Sequence, residues 1–129
     1  MVPTPTGGYQ VAFQASSSDL WLYGTAYYGD LHLGMMAHTS PSIAMVNGTW
    51  AVAFQANTGA LFLTGPAPLG NVNTGLAMMS GTSPSLAALP GGGYEVAFQA
   101  SSSAMWLYGT AGRFNTMLGM MPGTSPSIW

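Results

Sequence analysis

The chain contains no cysteine and almost no charge. Without cysteine it can build no disulfide, thiolate metal site or cysteine nucleophile. Formal charge rests on Asp19, Asp30, Glu95 and Arg113, 3% of 129 residues, where soluble domains average about a quarter. One arginine cannot supply the counterion release that drives nucleic-acid binding. A net charge of −2 gives no attraction to an anionic membrane surface. No apolar run reaches the length of a membrane-spanning helix. Neither nucleic acid nor membrane insertion is therefore expected. The start, Met-Val-Pro-Thr-Pro-Thr, lacks the basic end and apolar stretch of a signal peptide.

Catalytic groups are equally scarce. A glycosidase needs two carboxylates flanking one bond, and the three acids stand at non-equivalent places along the chain. Asp19 falls in a turn, and Glu95 stands where Gln10 and Ala51 stand in the other copies of a repeat described below. No Gly-x-Ser-x-Gly elbow is present. The two histidines, His32 and His38, could join Asp30 as a metal trio, but a decorated loop is the reading favoured by such a short pattern. No enzyme activity, metal or cofactor is expected.

What the chain does have is repetition. Val-Ala-Phe-Gln-Ala occurs at 11–15, 52–56 and 96–100, Thr-Ser-Pro-Ser at 39–42, 82–85 and 124–127, and Met-Met at 35–36, 78–79 and 120–121. The spacings of 41 to 44 residues leave no room for a linker or a second domain. With 48% hydrophobic residues the chain can bury a core, and the pattern inside a copy is that of strands. Tyr-Glu-Val-Ala-Phe-Gln at 94–99 alternates with period two. Leu-Trp-Leu-Tyr at 20–23 and Met-Trp-Leu-Tyr at 105–108 are short, aromatic and strand-like. Turn residues at 16–19, 57–59 and 101–103 join the two as a hairpin. A Leu/Gly/Met-Met strand, a Ser-Pro turn and a short strand such as Ser-Ile-Ala-Met at 42–45 complete about four strands per copy. No helical period with a capping signal occurs.

The expected fold is all-β, three four-stranded repeats of about 43 residues in a ring, with a β-propeller-like and a β-trefoil arrangement both open to it. The expected units are 7–48, 49–91 and 92–129, with the N- and C-terminal segments completing one shared unit. Three blades are too few for a closed propeller, so the ring is expected to close by oligomerisation, most simply as a two-fold dimer of six blades. A β-trefoil monomer is the alternative.

The run at 81–100, Gly-Thr-Ser-Pro-Ser-Leu-Ala-Ala-Leu-Pro-Gly-Gly-Gly-Tyr-Glu-Val-Ala-Phe-Gln-Ala, continuing to Met-Trp-Leu-Tyr at 105–108, resembles a blade of the bacterial lectin-like β-propellers. The Photorhabdus lectins and the tachylectin-like or tectonin-like modules are the relatives concerned. Their shared order is a Ser-x-Pro turn, a Gly-rich turn, a Val-x-Phe strand, a polar turn and a Leu-Trp strand. All three copies follow that order, the middle one departing at Phe62 and Thr64. The resemblance implies the β-propeller-like fold, sugar pockets between neighbouring blades and a secreted or extracellular setting.

The repeated aromatics Trp21, Tyr23, Phe62, Trp106 and Tyr108 suit that role, because an aromatic face stacks on the C–H face of a sugar. They suit packing between blades equally well. Gln14, Gln55 and Gln99 recur mid-strand, either as partners for sugar hydroxyls or, the favoured reading, as ties between blades. The Met pairs are expected to fill space between units, and Thr39, Thr82 and Thr124 to satisfy their turns. The expected function is multivalent binding of neutral glycans. The alternative is a structural β-repeat protein that assembles into rings or filaments without a small ligand.

Overall fold

The computed structural model describes residues 1–129. Twelve strands run in order: β1 (Val2–Pro3), β2 (Tyr9–Gln14), β3 (Asp19–Gly24), β4 (Gly29–Gly34), β5 (Ser42–Val46), β6 (Thr49–Gln55), β7 (Ala60–Thr64), β8 (Val72–Ala77), β9 (Ser85–Ala88), β10 (Tyr94–Gln99), β11 (Ala104–Gly109) and β12 (Gly112–Gly119). They form three separate antiparallel sheets, β1-β2-β3-β4, β5-β6-β7-β8 and β9-β10-β11-β12. Every sheet is a meander of sequence neighbours, the propeller-like arrangement. A trefoil would instead share a barrel among all three repeats.

The central hairpins follow from their turns. Ser18, Gly59 and Ser103 take positive φ values of 72°, 89° and 71°. This is the left-handed corner that a tight turn requires. The hairpin registers are equivalent, pairing Phe13 with Trp21, Phe54 with Phe62 and Phe98 with Trp106. The fourth strand always joins through an irregularity, opposite Asp19/Trp21, Ala60/Phe62 and Ala104/Trp106. Beside it an Asx turn recurs. The oxygens Asp30 Oδ1, Asn73 Oδ1 and Asn115 Oδ1 accept the N–H of His32, Gly75 and Met117 at 2.7, 3.0 and 2.9 Å. The receiving residues all have positive φ, 56°, 73° and 65°.

Strands β1, β5 and β9 lie side by side, and the sheets fan outward from them. Sheets stack face to face, in chain order. Strand alternation gives each sheet two faces. The leading face of the first sheet, with Leu20 and Leu22, packs on the trailing face of the second, with Trp50, Val52 and Phe54. The leading face of the second, with Ala51, Ala53, Leu61 and Leu63, packs on the trailing face of the third, with Val96 and Phe98. Met35 and Met78 fill the junctions, the task the sequence suggested. Burial of such side chains is worth about 1.5–3 kcal/mol apiece.

The junctions are stitched by backbone bonds. Met36 N–H donates to Gln55 O at 2.9 Å and Asn57 N–H to Gly34 O at 3.1 Å. Met79 N–H donates to Gln99 O at 3.0 Å and Ser101 N–H to Ala77 O at 3.1 Å. Around the inner strands, Ser40 N–H donates to Ser83 Oγ and Ser83 N–H to Ser125 Oγ, both at 2.9 Å.

The sheets divide the chain in a different phase from the expected units. Ser42–Val46 opens the second sheet, where the units 7–48 and 49–91 place it at the end of the first. Within one chain the two ends do not meet in one sheet. Val2 and Pro3 pair with Gln10 and Tyr9, whereas Ile128 lies against Ser85.

Candidate functional site

Two clefts occupy equivalent places between successive sheets, on the hairpin-turn side. The first, about 130 Å³, has Phe54, Asn57, Thr58 and Phe62 on one wall and His32 to Gly34 on the other. The second, about 170 Å³, has Phe98, Ser101, Ser102 and Trp106 facing Leu76 and Ala77. Both combine one half-buried aromatic of the hairpin's second strand with a polar turn and with the bulged fourth strand of the preceding sheet. The Asx turn shapes that wall: its His32 lines the first cleft, and Leu76, the residue after Gly75, lines the second. Glycine at 34 lets the Asn57 side chain approach closely, since a Cβ there would make the Asn57 amide swing aside. The second cleft solves the same contact with Ala77 and the smaller Ser101.

The structure sorts the expected site residues. Phe62 and Trp106 line the clefts and also pack against the two cores, so pocket and packing are not exclusive at these positions. The ring of Phe62 leans on Phe54, centroids 5.7 Å apart. Trp21, their counterpart, stands on the trailing face of the first sheet, which no other sheet covers. Its Nε1 is buried without a hydrogen-bond partner. Tyr23 is half exposed on that face and meets Tyr9 and Tyr28 at 6.4 and 5.6 Å between centroids. Tyr108 packs against the second core and touches neither cleft.

The glutamines lie away from the clefts. Gln55 and Gln99 are fully buried. Gln99 Nε2 donates to Met121 O and Gly123 N–H donates to Gln99 Oε1, both at 3.2 Å. Gln55 Oε1 likewise accepts from Gly81 N–H at 3.2 Å, and Gln14 Nε2 donates to Met36 O at 3.1 Å. The amides thus hold the Met-Met turn that follows their own sheet. They tie units together only through it. Thr39, Thr82 and Thr124 donate to Met36, Met79 and Met121 carbonyls at 2.6, 2.7 and 2.7 Å, satisfying those turns.

His32 Nδ1 lies 3.4 Å from Asp30 Oδ2, on an exposed side chain. His38 does not join them, and no group of three such ligands exists. Both residues belong to β4, where the carboxylate is engaged in the Asx turn and the imidazole stands exposed beside it.

Sequence reasoning passed over Asn57, Thr58, Ser101 and Ser102 as ordinary turn residues. The available signal was their constant place beside the aromatic strand. It also passed over Trp50, which stands where Tyr9 and Tyr94 stand, immediately before the Val-Ala-Phe-Gln strand. Trp50 lines a wider cleft, about 320 Å³, at the opposite end of the same junctions, with Tyr94 and Pro66 to Leu69. The first junction holds an equivalent cleft, about 360 Å³, in which Trp50 and Pro66 stand where Tyr94 and Thr110 stand in this one, and Ala26 where Ala67 does.

No family model matches the chain, and no curated protein matches it. Among solved structures it is similar to a fucose lectin from Kordia zhangzhouensis, solved in complex with methyl-fucoside. The TM-score is 0.60 at 10% sequence identity, covering 92% of this chain and 96% of that one. The chain therefore shares the all-β fold of that structure.

Proposed function

We propose that the chain is a carbohydrate-binding module with several equivalent sites for neutral sugars. The observation that carries this reading is the repetition of one cleft chemistry at two junctions, an aromatic rim beside hydroxyl or amide donors and acceptors. Phe62 with Asn57 and Thr58, and Trp106 with Ser101 and Ser102, would share the work. The aromatic takes the C–H face of the sugar and the turn takes its hydroxyls. Clefts of 130 and 170 Å³ are shallow beside the roughly 300–1,000 Å³ of drug-sized pockets. They suit one monosaccharide residue bound weakly, with avidity supplied by repetition. The near-absence of charge favours a neutral ligand. The solved lectin of similar fold carries methyl-fucoside, which makes that glycoside the first probe. Such a module would act outside the cell, on glycans displayed in multiple copies, as a self-associated ring.

Titration of the protein with methyl-fucoside and a panel of neutral monosaccharides tests the reading. Trp106→Ala and Phe62→Ala should each weaken one class of site by about tenfold or more, the loss of one good stacking contact. Absence of binding to any neutral sugar at millimolar concentration by folded protein would refute it.

A further inference from the structure

We infer that the two uncovered faces of the chain bind each other, so that a second copy docks head to tail, completes the first sheet and creates a third cleft. The partner is another copy of this chain, and the ring closes with two. This rests on the sugar reading only for the ligand of the third cleft.

The inference comes from comparing equivalent residues. On trailing faces, Phe54 and Phe98 are 1% and 0% exposed, but Phe13 is 39% exposed. On leading faces, Leu22 and Leu63 are fully buried, but Leu107 is only half-buried. Met35 and Met78 are buried, whereas Met120 is partly open and Leu118 is exposed. The deficit falls on one face of the first sheet and the opposite face of the third. Those are the two faces that the chain already joins twice, between its first and second and its second and third sheets.

Backbone groups tell the same story. The N–H groups of Asn57 and Ser101 cross the internal junctions, as do those of Met36 and Met79. The equivalent N–H groups of Ser16 and Met121 make no backbone bond. Unpaired edges of this kind invite pairing with another chain.

The chain ends fit as well. Ser42 and Ile43 pair with Ala53 and Val52 on the inner edge of β6. In the first sheet, β1 reaches only Tyr9 and Gln10, leaving Val11 and Ala12 open. Ser127 and Ile128 extend past β9 as the next inner strand. Ile128 N–H donates to Ser85 Oγ at 3.0 Å, as Leu86 N–H donates to Ser42 Oγ at 2.9 Å. Laid onto a second copy, Ser127 and Ile128 fall beside its Ala12 and Val11. Trp129 and Met1, both exposed and unpaired, must move aside. The third cleft would then set Trp21, Ser16 and Ser17 of one copy against Met117 and Leu118 of the other.

The full chain has no cysteine, which makes cross-linking unambiguous. Met35 and Ala56 form an antiparallel bridge at the first junction, as Met78 and Ala100 do at the second. At the proposed junction the equivalents are Met120 and Ala15, and such directly opposed pairs lie within disulfide reach. A chain carrying Ala15→Cys and Met120→Cys should oxidise to a covalent product of twice the chain mass. Either substitution alone should not, and an equimolar mixture of the two single variants should cross-link pairwise. A ladder of longer products would overturn closure by two copies, and folded chains that stay uncross-linked would overturn the junction.

Methyl-fucoside stoichiometry separates the two readings. Three sites per chain are expected for the wild type and two for Leu107→Glu, which places a charge in the junction, with circular dichroism verifying its sheets. Equal stoichiometry would overturn the third cleft. Cross-linking with no sugar bound would remove the sugar reading and leave the junction supported.

Discussion

Gln99 and Gly123 are joined by a half-buried hydrogen bond, Gly123 N–H to Gln99 Oε1 at 3.2 Å. The same amide donates to Met121 O at 3.2 Å. One side chain therefore holds both ends of the turn that carries the chain away from its last sheet. The equivalent bond from Gly81 to Gln55 does this for the second sheet.

Replacing this amide separates folding from recognition. Gln99→Leu keeps the volume but removes the amide from both bonds; Met121 O keeps its donors on Thr124, and the Gly123 N–H is open to water. Loss of such bonds costs about 0.5–1.5 kcal/mol, which urea denaturation should register. Sugar affinity at the Trp106 cleft should stay within twofold, since the amide does not reach that cleft.

Equivalent phenylalanines should differ in their dependence on protein concentration. Phe98 is fully buried, and Phe98→Ala should cost about 3–5 kcal/mol at any concentration. Phe13 is 39% exposed in one chain. Phe13→Ala should cost about 1 kcal/mol in dilute solution, with a larger loss as concentration rises and chains associate. A concentration-independent effect of Phe13→Ala would count against the shared junction.

Burial holds the Glu95 carboxyl above its ordinary value of 4.5. An acid with a raised folded-state pKa is favoured in its protonated form by folding. Its contribution is full below the unfolded value and is lost as pH rises through the folded one. Glu95→Gln should remove that loss, raising the thermal midpoint at neutral pH relative to wild type and leaving it unchanged in acid. Every other acid is common to both proteins, so the difference isolates Glu95. The neighbouring Tyr94 hydroxyl is also held high, by burial first and then by Tyr108 and Glu95.

Much of the fold could be read from residue order. The hairpins, the four strands per repeat and the space-filling role of the Met pairs all follow from period-two alternation and turn chemistry. The phase of the sheets could not be read. Ser-Ile-Ala-Met has the same strand character whether it pairs backward or forward, and only the register with β6 places it first. The clefts were half legible. Phe62 and Trp106 were visible as repeated aromatics, but alternation alone cannot say which face meets a neighbour. Their polar companions lie in the same hairpin turns, but the facing wall comes from across a junction, and the Asx turns beside it leave little trace beyond Asp30, Asn73 and Asn115.

The faces left open at the two ends of the stack hold few charges, Asp19 and Asp30 on the face of Trp21 and Glu95 on that of Leu107, among mainly aliphatic and aromatic groups. Screening by dissolved ions has little to act on at such surfaces, while their attraction comes from water and fades on cooling. An assembly held together this way would ride out swings in ionic strength that dissolve charged complexes, and would be most vulnerable to cold.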